Sequence, residues 1–120
     1  MIRKLLMVLS LCFMSSVCFA QITNDAIPMI GVIIDVQSAD NNQDNLQDFI
    51  KTYTKDDALM PDALTSGYAI FLQDGYMKFD SDSNAKIVEF LDKPESTLEV
   101  TIMAAIGEDN ILSLSSIENK

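Results

Sequence analysis

One helical segment, SDSNAKIVEFLDK at residues 81–93, separates two groups of strand-like runs. Ile87, Val88, Phe90 and Leu91 recur at helical spacing, Asp82 or Ser83 supplies an N-cap, and Pro94 stops the helix. Before it stand three strand candidates. MIGVIIDVQ (29–37) is rich in β-branched residues, with Ile30, Val32, Ile34 and Val36 on one face. YAIFL (68–72) is almost wholly apolar, and YMKFD (76–80) alternates. Gln73-Asp74-Gly75 joins the last two as a tight turn, with Gly75 expected at positive φ. After the helix come STLEVTIMAAI (96–106), with Leu98, Val100, Ile102 and Ala104 facing one way, and a last strand from Ile111 to Ile117.

Between the first and second strands lies a polar and helical insert. SADNNQD (38–44) is a turn cluster, and Leu46, Phe49, Ile50 and Tyr53 predict an amphipathic helix over 42–53. TKDDALMPD then makes a loop or one helical turn ended by Pro61. Five strands with a helix between the third and fourth predict a mainly β fold: an OB-like five-stranded small barrel with a helical insert between strands 1 and 2. An open α+β antiparallel sheet satisfies the same pattern.

The N-terminus reads as an export signal. Arg3 and Lys4 precede an apolar run from Leu5 to Phe13, and Cys18-Phe19-Ala20 forms a small-x-small end. Cleavage is expected after Ala20, since the apolar run is too short to anchor the chain comfortably in a membrane. Cys12 and Cys18 follow Leu11 and Val17, which is not a lipoprotein pattern. The expected organisation is a signal peptide at 1–20, a flexible leader at 21–28 and a single domain at 29–120, in the periplasm or secreted. About 100 residues are enough for one core without staples.

The mature chain keeps neither Cys nor His. Without Arg3 and Lys4 it carries six Lys/Arg against 18 Asp/Glu, a net charge of −12. Nucleic acid is excluded as a partner, because phosphate binding needs clusters of Lys and Arg. The acid keeps an exported chain soluble and attracts cations and basic surfaces.

Candidate chemistry is sparse. No G-x-S-x-G elbow is present, and no histidine can act as a base for the serines. The chain reads as no enzyme, and no cofactor is implied. Asp80-Ser81-Asp82-Ser83-Asn84 begins like a calcium loop, but the sixth position is Ala85 and the twelfth Leu91. Asp80 and Asp82 are therefore the nearest approach to a metal site, and a strand end plus helix cap fits the same residues. Asp35, Asp56, Asp57, Tyr68 and Tyr76 are the residues expected to line a partner surface, while Phe71 and Phe79 are expected in the core.

The frame GVIIDVQS … YTKDDALMPDALTSGYAI … DGYMKFD resembles a family of small exported bacterial proteins of uncharacterised function. Its members read roughly G-x-[VI]-x-D-x-x-C, H-x-x-x-C-A-L-M-x-x-C-x-x-S-G-Y-G and D-G-x-x-x-x-F-D. The resemblance covers residues 30–118. The second half is also similar, more loosely, to the exported bacterial OB-fold family. Where the pattern has Cys, His, Cys and Cys, this chain has Ser38, Tyr53, Asp57 and Ala63. The resemblance implies a metal site or disulfide in relatives that this chain cannot form. TKDDALMPDALTSGY then becomes a structural clip, with Leu59 and Met60 plugged onto the barrel and Asp56 and Asp57 in water. The functional expectation is a non-catalytic exported domain that binds a protein or small ligand. The alternative is a cation-binding protein using surface carboxylates.

Overall fold

A computed structural model describes residues 25–120. The signal peptide, the cleavage site and the leader residues up to 24 lie outside the described residues. The chain forms β1 (Ile27–Asp35), α1 (Val36–Asn41), α2 (Leu46–Phe49), α3 (Lys55–Ala58), α4 (Pro61–Ser66), β2 (Tyr68–Leu72), β3 (Gly75–Lys78), α5 (Ser81–Leu91), β4 (Glu99–Ile106) and β5 (Leu112–Asn119). Short 3-10 turns at Gln43–Asn45 and Glu108–Asn110 complete it.

The strands make one antiparallel sheet in the order β3-β2-β1-β4-β5. It is not closed into a barrel, and helices take about as many residues as strands. The mainly β expectation is therefore corrected to a mixed α/β fold, which agrees with the open-sheet alternative. The outer strands approach at one point, where Phe79 bridges Leu112 in parallel and the Asp80 N–H donates to Leu112 O at 2.9 Å.

β1 serves two partners in succession. Ile27–Val32 pair with β4, and Val32–Asp35 pair with β2. Ile27 and Pro28, expected in the leader, are thus already in the sheet. Pro28 is tolerated because β2 does not reach that end of β1, so no neighbour needs the missing N–H there. Gly31 sits just before the handover. A Cβ at this position would lie 2.4 Å from Phe71 O, so only glycine lets β2 approach.

Alternation fails where β1 ends. Ile33 and Ile34 are both fully buried and Asp35 nearly so, because both faces of the sheet are covered there. Ile87, Phe90 and Leu91 of α5 join the same core as Val100, Ile102, Ala104, Leu112 and Leu114. The helix also covers the outer edge of β5: Ser83 Oγ accepts from the Leu114 N–H at 2.7 Å, and Lys86 Nζ donates to Leu114 O at 3.0 Å.

The insert differs from its expected form. The helix predicted over 42–53 is broken into a 3-10 turn and α2, and a helix stands earlier, at Val36–Asn41. The cause is Asp35, whose side chain accepts from the Ser38 N–H at 2.9 Å and caps α1 directly at the strand end. The apolar face itself is as expected, with Leu46 and Tyr53 buried and Phe49 and Ile50 packed on the core. The turn before β3 needs no left-handed glycine, since Gly67 is the glycine with positive φ. Asp109 and Asn110 take that region in the last hairpin.

Candidate functional site

The insert and the C-terminal end of β1 enclose a cleft of about 440 Å³. Its floor is Asp35, only 3% exposed. The Tyr53 hydroxyl donates to Asp35 Oδ1 at 2.5 Å and accepts from the Asp35 N–H at 3.1 Å. With the Ser38 N–H on Oδ2, both carboxyl oxygens are engaged. Burial and the bond to Asp35 push the Tyr53 hydroxyl well above the ordinary phenol range. Tyr53 is thus a neutral strut between the turns that follow α2 and the strand end.

The walls come from four short helices. α1 and its C-cap contribute Gln37, Ser38, Asn41 and Asn42, α2 contributes Phe49, and the α3–α4 segment contributes Asp57, Met60, Asp62 and Ala63. Each wall is fixed locally. Asn42 Nδ2 donates to Ser38 O at 2.8 Å, closing α1. Thr54 and Asp57 form a reciprocal capping box that starts α3. Pro61 opens α4, and Gly67 closes it with φ 86°. A Cβ on Gly67 would meet the Asn84 side chain at 2.7 Å, and that side chain accepts from the Tyr68 N–H at 2.9 Å. The Ser66-Gly67-Tyr68 run is therefore the joint by which the insert returns to the sheet.

The residues expected on a partner surface divide. Asp35 and Asp57 line the cleft, and Asp56 is exposed outside it. Tyr68 is corrected from surface to core: it is fully buried, its hydroxyl donates to Ala58 O at 2.6 Å, and burial pushes it up to about 12. Asp35 is likewise buried rather than presented. Tyr76 lies apart, half-buried, with its hydroxyl bonded to Asp40, which pushes it up to about 12. Phe79 is buried and Phe71 partly so. Asp80 caps α5 by accepting from the Ser83 N–H at 2.9 Å, while Asp82 is exposed in its first turn. The N-cap is thus Asp80, ahead of the expected Asp82 or Ser83. Among the described residues no group of three or more carboxylates is close enough to hold a metal ion.

The clip expectation is half corrected. Met60 is 56% exposed and Leu59 only partly buried, while Ala58 and Ala63 are the residues seated in the core. The fastening missed by sequence reasoning is Lys55. Its ammonium donates to Lys93 O, Ser96 O and Ser96 Oγ, each at 2.9 Å, and to Pro94 O at 3.5 Å. These oxygens follow the C-terminus of α5, where a cation is favoured. A signal was present in the lone basic residue beside Asp56 and Asp57, but its partners lie about 40 positions away.

Ser38, Tyr53, Asp57 and Ala63 all line this one cleft. They are far apart in sequence and meet only through the fold. Scans against protein-family models, curated proteins and solved structures give no match.

Proposed function

We propose that the chain is an exported, non-catalytic binding domain of the cell envelope whose ligand enters the cleft above Asp35 and Tyr53. The observation that carries this reading is the pre-formed polar wall. Gln37, Ser38, Asn41 and Asn42 border a space of ligand size whose floor is held rigid from beneath. The buried carboxyl is fully hydrogen-bonded to the protein's own groups, so it serves shape rather than proton transfer. The lining includes Asp35, Asp57 and Asp62 and no Lys or Arg, which favours ligands that carry positive charge.

We read the open sheet as OB-like, which goes with the same reading. Its helix between strands 3 and 4, the order β3-β2-β1-β4-β5 and the parallel bridge between Phe79 and Leu112 agree with a barrel of that kind left partly open. The convergence of Ser38, Tyr53, Asp57 and Ala63 supports the resemblance to the small exported family. In this chain Tyr53, bonded to Asp35, and Asp57, in its capping box, stand where the resembled pattern carries His and Cys.

The test is capture from the periplasmic fraction, with the exported chain and its Asn41→Trp variant as parallel baits. Asn41 is an exposed rim residue, so the indole fills the cleft mouth without entering the core. A component held by the wild type and lost with Asn41→Trp supports the proposal. Equal recovery by both baits overturns it.

A further inference from the structure

Beside the cleft, two large apolar side chains face solvent, Met60 at the N-cap of α4 and Leu64 within it. Met60 is 56% exposed and Leu64 46%, and they lie one helical turn apart, with the Leu64 N–H donating to Met60 O at 3.0 Å. Single exposed apolar residues need no explanation. This pair is different because Met60 also lines the cleft, so apolar surface runs directly into the polar wall. Asp57 and Asp62 border the same opening, and Asp56 is exposed on α3.

We infer that this face docks a basic amphipathic segment of another protein, resting its apolar residues on Met60 and Leu64 and its Lys or Arg side chains on Asp57, Asp62 and the cleft. The inference rests on the binding reading above and gives that site its class of partner. Charge complementarity selects the occupant. An anionic membrane surface is repelled by these carboxylates. A second copy of a chain with net charge −10 would set the same acids against each other. A purely apolar segment would leave the acids without partners, and a purely cationic one would leave Met60 and Leu64 in water. Methionine suits such a surface because its unbranched side chain re-packs against varied apolar shapes.

Fluorescence anisotropy of a labelled Leu/Lys amphipathic helix, mixed with the exported chain, tests this. Oligolysine of equal charge and a neutral Leu/Gln helix serve as comparison probes. The Leu/Lys helix should bind more tightly than either, and more weakly as salt rises. Met60→Ser and Leu64→Ser, both at exposed positions, should each weaken it about tenfold. Met103→Ser, on exposed sheet surface elsewhere, should leave it unchanged. Failure of the Leu/Lys helix to bind overturns the inference. So does equal binding of oligolysine with indifference to both serine variants, since that is attraction by net charge alone. Spermidine, followed by NMR at the Ser38 and Asn41 amides, separates the two proposals. If it shifts those amides while the helix does not bind, the partner inference falls and the cleft reading stands.

Discussion

Tyr53 and Asp35 hold each other through two hydrogen bonds, although 18 positions separate them. The tyrosine hydroxyl donates to the carboxyl and accepts from the same residue's N–H. The pair ties the turns that follow α2 to the end of β1 and forms the base of the cleft. Asp35 also caps α1, so one residue ends the strand, starts the helix and anchors the insert.

Tyr53→Phe should therefore destabilise the fold by about 1–3 kcal/mol, because the Asp35 N–H and one carboxyl oxygen are left buried without partners. Urea unfolding measures it. Combined with Asp35→Ala in a double-mutant cycle, the coupling should be at least about 0.5 kcal/mol. Additive losses would mean that the two residues act independently.

Lys55 is the fastening of the insert, and Met60 is not. Lys55→Met keeps the aliphatic stem but removes the ammonium from the loop oxygens, and should cost about 1 kcal/mol after allowance for its partial exposure. Met60→Ala and Asp56→Asn should each stay within about 0.5 kcal/mol of the wild type. The comparison is made by thermal melts at neutral pH. A large loss from Met60→Ala would restore it to the role expected from sequence.

All three tyrosines should resist ionisation. Tyr53 and Tyr68 are raised chiefly by burial, and Tyr76 by its bond to Asp40, with Tyr68 and Tyr76 at about 12. A raised phenol favours the protonated form in the folded state. Its contribution is complete below the ordinary value of 10.0 and is lost as pH climbs from there toward about 12. Absorbance at the phenolate band should stay flat through pH 10 and rise together with unfolding. A clean titration step at the ordinary value in folded protein would count against these contacts.

Asp80 acts at the opposite end of the scale. Hydrogen bonds from the Ser83 hydroxyl and N–H hold its carboxyl below the usual range. A depressed carboxylate contributes stability that is complete above the ordinary value of 3.8 and is lost as pH falls through its folded-state value. Asp80→Asn keeps a capping side chain without the charge. The stability gap between wild type and this variant should be constant near neutrality and should narrow below about pH 4. A gap independent of pH would assign the effect to the cap geometry alone.

Export is checked by intact mass. The exported chain should begin at Gln21, as the Cys18-Phe19-Ala20 end directs. A mass that retains residues 1–20 or carries a lipid would overturn cleavage by the ordinary signal peptidase.

Periodicity in the sequence determined where β4 and α5 lie. Val100, Ile102 and Ala104 alternate with solvent-facing residues along β4, and Ile87, Phe90 and Leu91 recur along α5, because side-chain direction is a local consequence of backbone geometry. Composition likewise determined the acid excess, the absence of histidine from the chain and the absence of cysteine from residues 25–120. The tertiary structure alone decided that β1 changes partners next to Gly31, that Tyr68 is core, and that Lys55 finds its oxygens beyond α5. It also decided that Asp35, Ser38, Tyr53, Asp57 and Ala63 share one cleft. These facts depend on which distant backbone comes close, and no local pattern carries that information. An aspartate reads the same in water or beneath a tyrosine, and only the packing of the insert against β1 tells the two apart.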